Sequence, residues 1–119
     1  MVSKNQIKLI SSLHQKKQRF ANQLFFAEGV KVIQELLLSN FELEHLYTTL
    51  NDFEEVHSSK RTLIYEQELK KISALSTPNS CLAVFKIPSE NEITNSGLIL
   101  ALDDIRDPGN LGTILRLCD

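Results

Sequence analysis

A polar segment near the carboxyl end divides this chain of 119 residues into two unequal parts. Residues 88–97 carry one aliphatic side chain, Ile93, among Pro, Gly and polar residues. Such a composition is typical of a linker, because it offers no apolar face to bury. Residues 1–87 are long enough for one small domain, whereas residues 98–119 supply only the beginning of a second one.

Within residues 1–87 the hydrophobic pattern changes repeatedly between a helical period and apolar runs of strand length. The pattern predicts helices over residues 3–19, 30–39, 51–57 and 66–74, and strands over residues 24–27, 42–48, 62–65 and 81–87. Helices and strands that alternate at such short intervals favour a mostly parallel sheet covered on both faces. The sequence therefore predicts the α/β class, with a small three-layer α/β/α domain like those of ribosomal proteins.

The part after the linker has the pattern of a strand, a turn and a helix. Residues 98–102 are a continuous apolar run, which predicts a central parallel strand. Pro108 and Gly109 fit the centre of a type II turn, and Asn110 then stands where the N-cap of a following helix belongs. The apolar side chains of that helix recur at core-facing positions: Leu111, Ile114, Leu115 and Cys118. Since this unit has no partner elements, we expect the sequence to be truncated inside its second domain.

Basic residues are concentrated at the amino end, although the formal net charge of the chain is −2. Residues 1–31 carry six basic side chains and one acidic side chain, a charge of +5, so the remaining residues carry −7. A basic amino-terminal segment followed by a more acidic sequence indicates either a local contact with a polyanion or a solvated helix face. The candidate contacts are Lys4, Lys8, Lys16, Lys17, Arg19 and Lys31.

Another face of the predicted last helix is not explained by packing. Gly112, Thr113 and Arg116 lie opposite its apolar side chains. A glycine inside a helix costs up to about 1 kcal/mol relative to alanine, and it is tolerated best where a ligand approaches the backbone. With Arg116 one turn further along, this face predicts a phosphate or nucleotide site. Neither GxxxxGK[ST] nor GxGxxG occurs, which argues against a nucleotide triphosphatase and an ordinary dinucleotide-binding domain.

Three segments resemble one protein family. Residues 107–116, DPGNLGTILR, resemble the first motif of the SpoU/TrmH-type RNA methyltransferases of the SPOUT superfamily. Residues 25–29, FFAEG, resemble the FLVEG-like strand end of that family, and residues 75–78, LSTP, resemble its later turn, although residues 79–80 are Asn-Ser where Gln-Gly is usual. The resemblance covers essentially the whole chain. It implies transfer of a methyl group from S-adenosylmethionine to a ribose 2′-OH of ribosomal or transfer RNA.

The same resemblance implies roles for individual residues. Asn110 would help to shape the catalytic pocket, and Arg116 would lie at the reacting ribose, either as the base for the 2′-OH proton or as an electrostatic stabiliser. A guanidinium stays protonated in proteins and is therefore a poor base, whereas stabilising a developing alkoxide is an easier role. Thr113 joins the basic residues of the amino end as a candidate RNA contact.

The second and third motifs of the family would lie beyond Asp119. They form the cofactor pocket and most of the dimer interface, so we expect the full-length protein to be a homodimer that uses S-adenosylmethionine. For residues 1–119 alone we expect neither cofactor binding nor catalysis. The alternative function is a non-catalytic RNA-binding module, and the gene sequence past Asp119 distinguishes the two.

The remaining features exclude several other classes. No apolar run approaches the roughly 20 residues of a membrane span, and the first residues lack the apolar core of a signal peptide. Cys81 and Cys118 lack metal-ligand spacing, and we interpret them as buried thiols in a reducing cytoplasm. We therefore expect a cytoplasmic protein that binds neither a membrane nor a metal.

Overall fold

Helices and strands alternate along the first part of the chain, as the hydrophobic pattern predicts. The computed structural model describes residues 1–93 and 95–119, in two compact units: a first unit, Met1–Ser89, and a second unit, Glu90–Asp119. The helices are α1 (Lys4–Ser12), α2 (Lys16–Asn22), α3 (Val30–Leu38), α4 (Glu66–Ile72) and, in the second unit, α5 (Pro108–Cys118). The strands are β1 (Leu24–Glu28), β2 (Leu43–Thr48), β3 (Arg61–Leu63) and β4 (Cys81–Lys86). Among the described residues no helix is both long and apolar enough to cross a membrane.

The four strands form one sheet in the order β1-β4-β2-β3. Strands β1, β2 and β3 run in the same direction, but β4 lies antiparallel between β1 and β2, so that β2 and β3 are the one parallel pair in this sheet. The α/β class is confirmed, whereas the prediction of a mostly parallel sheet is wrong. The reason is that α4 has only seven residues and the segment after it returns to the edge where β3 ends. Strand β4 therefore starts at that edge and runs back.

Strand β4 separates two apolar cores. Leu82 and Val84 pack on one side, together with apolar residues of α1 and α4. Cys81, Ala83 and Phe85 pack on the other side, against α3. These five side chains are at most 3% exposed, because a central strand covered on both faces has no solvent side. The predicted three-layer α/β/α arrangement is confirmed.

The predicted helix over residues 3–19 is divided into α1 and α2. Leu13, directly after α1, is fully buried in the core. The guanidinium of Arg19 donates from Nη1 to the carbonyl oxygens of Leu13, at 2.9 Å, and His14, at 3.1 Å, so carbonyls at the end of α1 are satisfied without a continuing helix. The break turns the side chain of Phe20 outward, to 55% exposure, where one continuous helix would place it beside Leu13. Residues 51–57 form turns and not the predicted helix.

In the second unit α5 begins earlier than predicted. Asp107 is its N-cap, since its carboxylate accepts the backbone N–H of Asn110 at 2.8 Å, and Pro108 occupies the first helical position. The type II turn and the capping role of Asn110 are therefore wrong. Residues 98–102 do not form a strand, because a lone strand has no neighbour to pair its backbone groups.

The apolar side chains of α5 do not face a core within the second unit. Leu111 and Leu115 are 38% and 58% exposed, contrary to the predicted buried stripe. Both cysteines are free thiols: Cys81 is buried, as predicted, whereas Cys118 is exposed. Burial raises the pKa of the Cys81 thiol to about 11.

The amino end of the chain is attached to α4 through one carboxylate. Glu68 accepts the backbone N–H of Val2 at 2.9 Å and that of Tyr65 at 3.0 Å. These two hydrogen bonds lower the pKa of the Glu68 carboxyl, because they favour its ionised form.

We expect Glu68→Gln to lower the free energy of unfolding at neutral pH and to reduce its decrease in acid. A carboxyl whose folded pKa is depressed contributes stability above its ordinary value of 4.5, and that contribution is lost as pH falls through the folded pKa. Chemical denaturation at neutral and acid pH measures the effect. Glu66→Gln, in the same helical turn, is the control. An equal loss of stability at both pH values would contradict the ionic role.

Candidate nucleic-acid interface

Helices α1 and α2 enclose a surface groove in the first unit, called here the α1–α2 groove. Helix α1 starts at the N-cap Ser3, whose side chain and that of Gln6 hydrogen-bond reciprocally to each other's backbone N–H groups. The groove has a volume of about 580 Å³ and is lined by Asn5, Lys8, Leu9, Ser12, Gln15, Gln18 and Asn22. Amide, hydroxyl and ammonium groups donate to phosphate and ribose oxygens, and no lining residue is acidic. This groove is the first candidate contact for a polyanion.

Lys8 lines this groove, and three further predicted contact lysines with exposed side chains are sequence neighbours of its lining residues: Lys4, Lys16 and Lys17. The side chains of Ser12 and Gln15 lie beside that of Lys8 in the lining of the groove. The Lys16 ammonium lies 5.9 Å from the centre of the Phe20 ring. Over residues 1–93 and 95–119 the ion pairs present involve other residues, so these four lysines are free to meet an anionic partner: Lys4, Lys8, Lys16 and Lys17.

Arg19 has a structural contact that the charge pattern did not reveal. Its Nη1 bonds to the carbonyls after α1 fix the angle between α1 and α2, and its side chain is half-buried. A guanidinium has five N–H donors, so Nε and Nη2 remain for a further partner. Arg19 therefore shapes the groove even where it does not touch a ligand.

Lys31 lies apart from the other predicted contacts. Strand β1 connects α2 to α3, so Lys31 is at the opposite end of β1 from the groove. It lines a second cavity, of about 420 Å³, with Glu28, Gly29, Val30, Val32, Asn79 and Ser80. The structure therefore separates the predicted basic residues into two groups.

The family-like segment of residues 25–29 meets the residues after α4 at the carboxyl end of β1. The Glu28 carboxylate accepts the hydroxyl of Ser73 and the backbone N–H of Ala74, the latter at 3.0 Å. Gly29 has a φ of +98°, and a Cβ there would lie 3.8 Å from the side chain of Asn79. Residues 25–29 and the turn after α4 therefore form one junction. Sequence spacing did not indicate this contact; its one local signal was a glycine directly after Glu28.

The two predicted catalytic residues and the predicted RNA contact Thr113 lie on α5, in the second unit. Asn110, Thr113 and Arg116 are exposed, and the Thr113 hydroxyl donates to the carbonyl of Gly109 at 3.0 Å. A Cβ at Gly112 would meet nothing within 4 Å, so packing in the described part of the chain does not require glycine there. The backbone at Gly112 is therefore open to close approach.

The predicted site residues of the second unit all lie on one helix. Asn110, Thr113 and Arg116 are exposed side chains of a single helix and enclose no buried polar group. The cavities described here are lined by residues of the first unit. The described residues also contain no group of three or more His, Cys, Asp or Glu side chains placed to hold a metal ion.

Residues 4–83 match the family model of the MRM3-like substrate-binding domain. The chain belongs to this family. A curated relative of this substrate-binding domain is the 23S rRNA (guanosine(2553)-2′-O)-methyltransferase RlmP of Bacillus subtilis (strain 168), which is 29% identical over 98% of this chain and 48% of its own length. The chain thus spans about half the length of that relative.

Solved structures of RNA methyltransferases are similar to this chain. An RNA methyltransferase assigned to the TrmH family, from Porphyromonas gingivalis, has a TM-score of 0.84 and 38% identity, over 100% of this chain and 49% of that chain. The AdoMet-bound rRNA methyltransferase of Sinorhizobium meliloti shares the fold, with a TM-score of 0.62 and 20% identity over 76% of this chain and 37% of its own. The SpoU/TrmH resemblance of the MRM3-like chain is confirmed.

We expect Gly29→Ala to destabilise the first unit by about 1–3 kcal/mol, because any side chain is strained at its φ of +98° whatever space surrounds it. Urea denaturation followed by circular dichroism measures the change. Gly112→Ala is the matched control: that glycine is helical and has open space around it, so alanine there costs no stability. Equal stability of Gly29→Ala and the unmodified chain would refute the conformational requirement.

Proposed function

We propose that this chain is the RNA-recognition part of an S-adenosylmethionine-dependent ribose 2′-O-methyltransferase that acts on ribosomal or transfer RNA. In this proposal residues 1–87 bind the RNA substrate, residues 88–97 are a linker and residues 98–119 begin the methyltransferase domain. The match of residues 4–83 to a substrate-binding family supports it most directly. The named activities of the relatives support the proposed reaction class.

Electrostatics of the first unit support RNA as the partner. The exposed lysines beside the α1–α2 groove do not belong to the ion pairs of the described chain, so binding a phosphate breaks no existing ion pair. Ammonium groups that neutralise phosphates release condensed counterions, which favours binding at low salt. The amide and hydroxyl side chains of the groove suit ribose 2′-OH and phosphate oxygens, which distinguish RNA by shape and by its hydroxyls.

For the chemical step we propose Arg116 and Asn110 as catalytic residues and Thr113 as an RNA contact. The cofactor, when bound, supplies the methyl group. Arg116 stabilises the developing alkoxide or grips the adjacent phosphate, roles that suit a planar and permanently charged guanidinium. We further propose a cytoplasmic homodimer, with the cofactor site and dimer interface in the part of the relatives that this chain does not cover.

We expect combined replacement of Lys8, Lys16 and Lys17 by Gln to reduce the salt dependence of RNA binding. The slope of log K against log salt falls by about one for each phosphate that the protein no longer neutralises. Filter binding of in vitro-transcribed 23S rRNA over a salt series measures the slope. Lys86→Gln is the control, because that lysine is already paired with Glu42, 2.8 Å away. An unchanged slope in the triple variant would count against the groove as the RNA surface.

We expect residues 1–119 alone to show no S-adenosylmethionine binding in titration calorimetry. A small-molecule site is concave and buries most of its ligand, whereas the side chains of α5 are exposed on one helix. A TrmH-family relative with its whole methyltransferase domain is the positive control. Micromolar binding by the 119-residue chain would contradict the proposal that the cofactor site lies outside these residues.

A further inference from the structure

A turn at the edge of the sheet has no role in the function proposed above. Residues 77–80, called here the edge turn, follow α4 and lead into β4. The end of β2 holds this turn, since the backbone N–H and the Oγ1 of Thr49 donate to the carbonyl of Ser80 at 2.8 and 3.0 Å. The end of β1 holds its other side, where Gly29 donates its N–H to the carbonyl of Cys81 at 3.1 Å.

Ser80 has a left-handed backbone, with a φ of +47°. A non-glycine residue adopts this conformation at a free-energy cost, so it persists only where neighbouring contacts impose it. The bonds from Thr49 supply that constraint. The two hydrogen bonds from Thr49 fix the Ser80 carbonyl in the chain without a partner, and a contact that is already formed lowers the ordering cost of binding.

Two cavities flank the edge turn, and Ser80 lines both of them. One is the cavity beside Lys31 described above. The other has a volume of about 290 Å³, with apolar walls from Leu69 and Pro78. Its polar lining combines three hydroxyls, an ammonium and a carboxylate, those of Thr49, Thr77, Ser80, Lys70 and Glu66.

Each cavity offers one ammonium group to a phosphate. Neither Lys31 nor Lys70 forms an ion pair with another residue of the described chain. In the cavity beside Lys31, the Glu28 carboxylate already accepts hydrogen bonds from Ser73 and Ala74, so it competes weakly for the Lys31 ammonium. The carboxylate of Glu66 is an acceptor that a nucleobase edge or a ribose hydroxyl satisfies.

The smaller cavity has the dimensions and chemistry of a site for one nucleoside. Small-molecule sites begin at about 300 Å³ and combine apolar walls with a few polar groups, as here. A base paired in a duplex cannot enter such a concave site, whereas an unpaired base can be splayed out of the RNA. The occupant that fits is one unpaired nucleotide.

We propose that the edge turn is a second RNA contact, which receives one unpaired nucleotide in the cavity beside Lys70 and the neighbouring phosphate at Lys31. This inference rests on the proposed function, because it requires that the first unit binds RNA. Strand β1, with five residues, separates the edge turn from the α1–α2 groove. At about 3.3 Å per residue β1 is roughly 15 Å long, a length that one folded RNA can span.

The test uses the whole chain and two fluorescein-labelled probes, an RNA hairpin with a single-stranded loop and a blunt-ended duplex of the same stem. Lys31→Gln combined with Lys70→Gln should weaken hairpin binding roughly tenfold and leave duplex binding unchanged. Lys71→Gln is the matched control, since Lys71 is exposed on the same helix but does not line the cavity. Asn79→Asp, which adds a negative charge between the cavities without changing side-chain shape, should also weaken hairpin binding.

Nuclear magnetic resonance of the labelled chain gives an independent measurement. The backbone amide signals of Thr49 and Ser80 should shift when the hairpin is added and stay in place with the duplex. Hairpin binding by the double variant equal to that of Lys71→Gln would overturn the second contact and leave the proposed function standing. If the double variant lost affinity for the hairpin and the duplex equally, the proposal that the cavity receives an unpaired nucleotide would be wrong. Absence of RNA binding by the unmodified chain would refute the proposed function itself.

Discussion

Burial of strand β4 between β1 and β2 fixes the positions of both candidate RNA surfaces. Its residues pack alternately into two cores, so α1 and α4 are held on one face and α3 on the other. Because β4 runs against its neighbours, its amino end lies beside the carboxyl ends of β1 and β2. The edge turn and both flanking cavities exist at that edge for this reason. The α1–α2 groove lies near the start of β1, at the other end of the strand.

Local signals in the sequence were sufficient for most element types. Apolar runs such as residues 81–87 and the helical period of residues 30–39 identify strands and helices without reference to the rest of the chain. The direction of β4 could not be derived in this way, because it depends on where a short helix and a polar turn return the chain. The break after α1 depends on a side chain six residues further on, Arg19, which no periodicity reports.

Some features of the candidate site could likewise be predicted from the sequence, and others could not. Charge clustering indicated the groove lysines, and those residues are exposed and available. Charge counting could not show that Arg19 holds backbone carbonyls, or that Lys31 belongs to a different surface. The junction of Glu28 with Ser73 and Ala74 joins segments that are far apart in sequence, so it required a structure. In the second unit the sequence correctly predicted a helix at the motif residues. It predicted Asn110 as the N-cap of that helix, whereas the N-cap is Asp107, three residues earlier.

The two cysteines give the units different chemical reactivity. Thiol reagents attack the thiolate, and a pKa of about 11 leaves Cys81 almost entirely protonated at neutral pH, inside a closed core. Cys118 is exposed near the end of α5, in the second unit. A fluorophore attached through a maleimide therefore goes to α5 and leaves the sheet untouched. The chain thus contains a natural attachment point from which the surroundings of the Asn110–Arg116 motif can be followed spectroscopically.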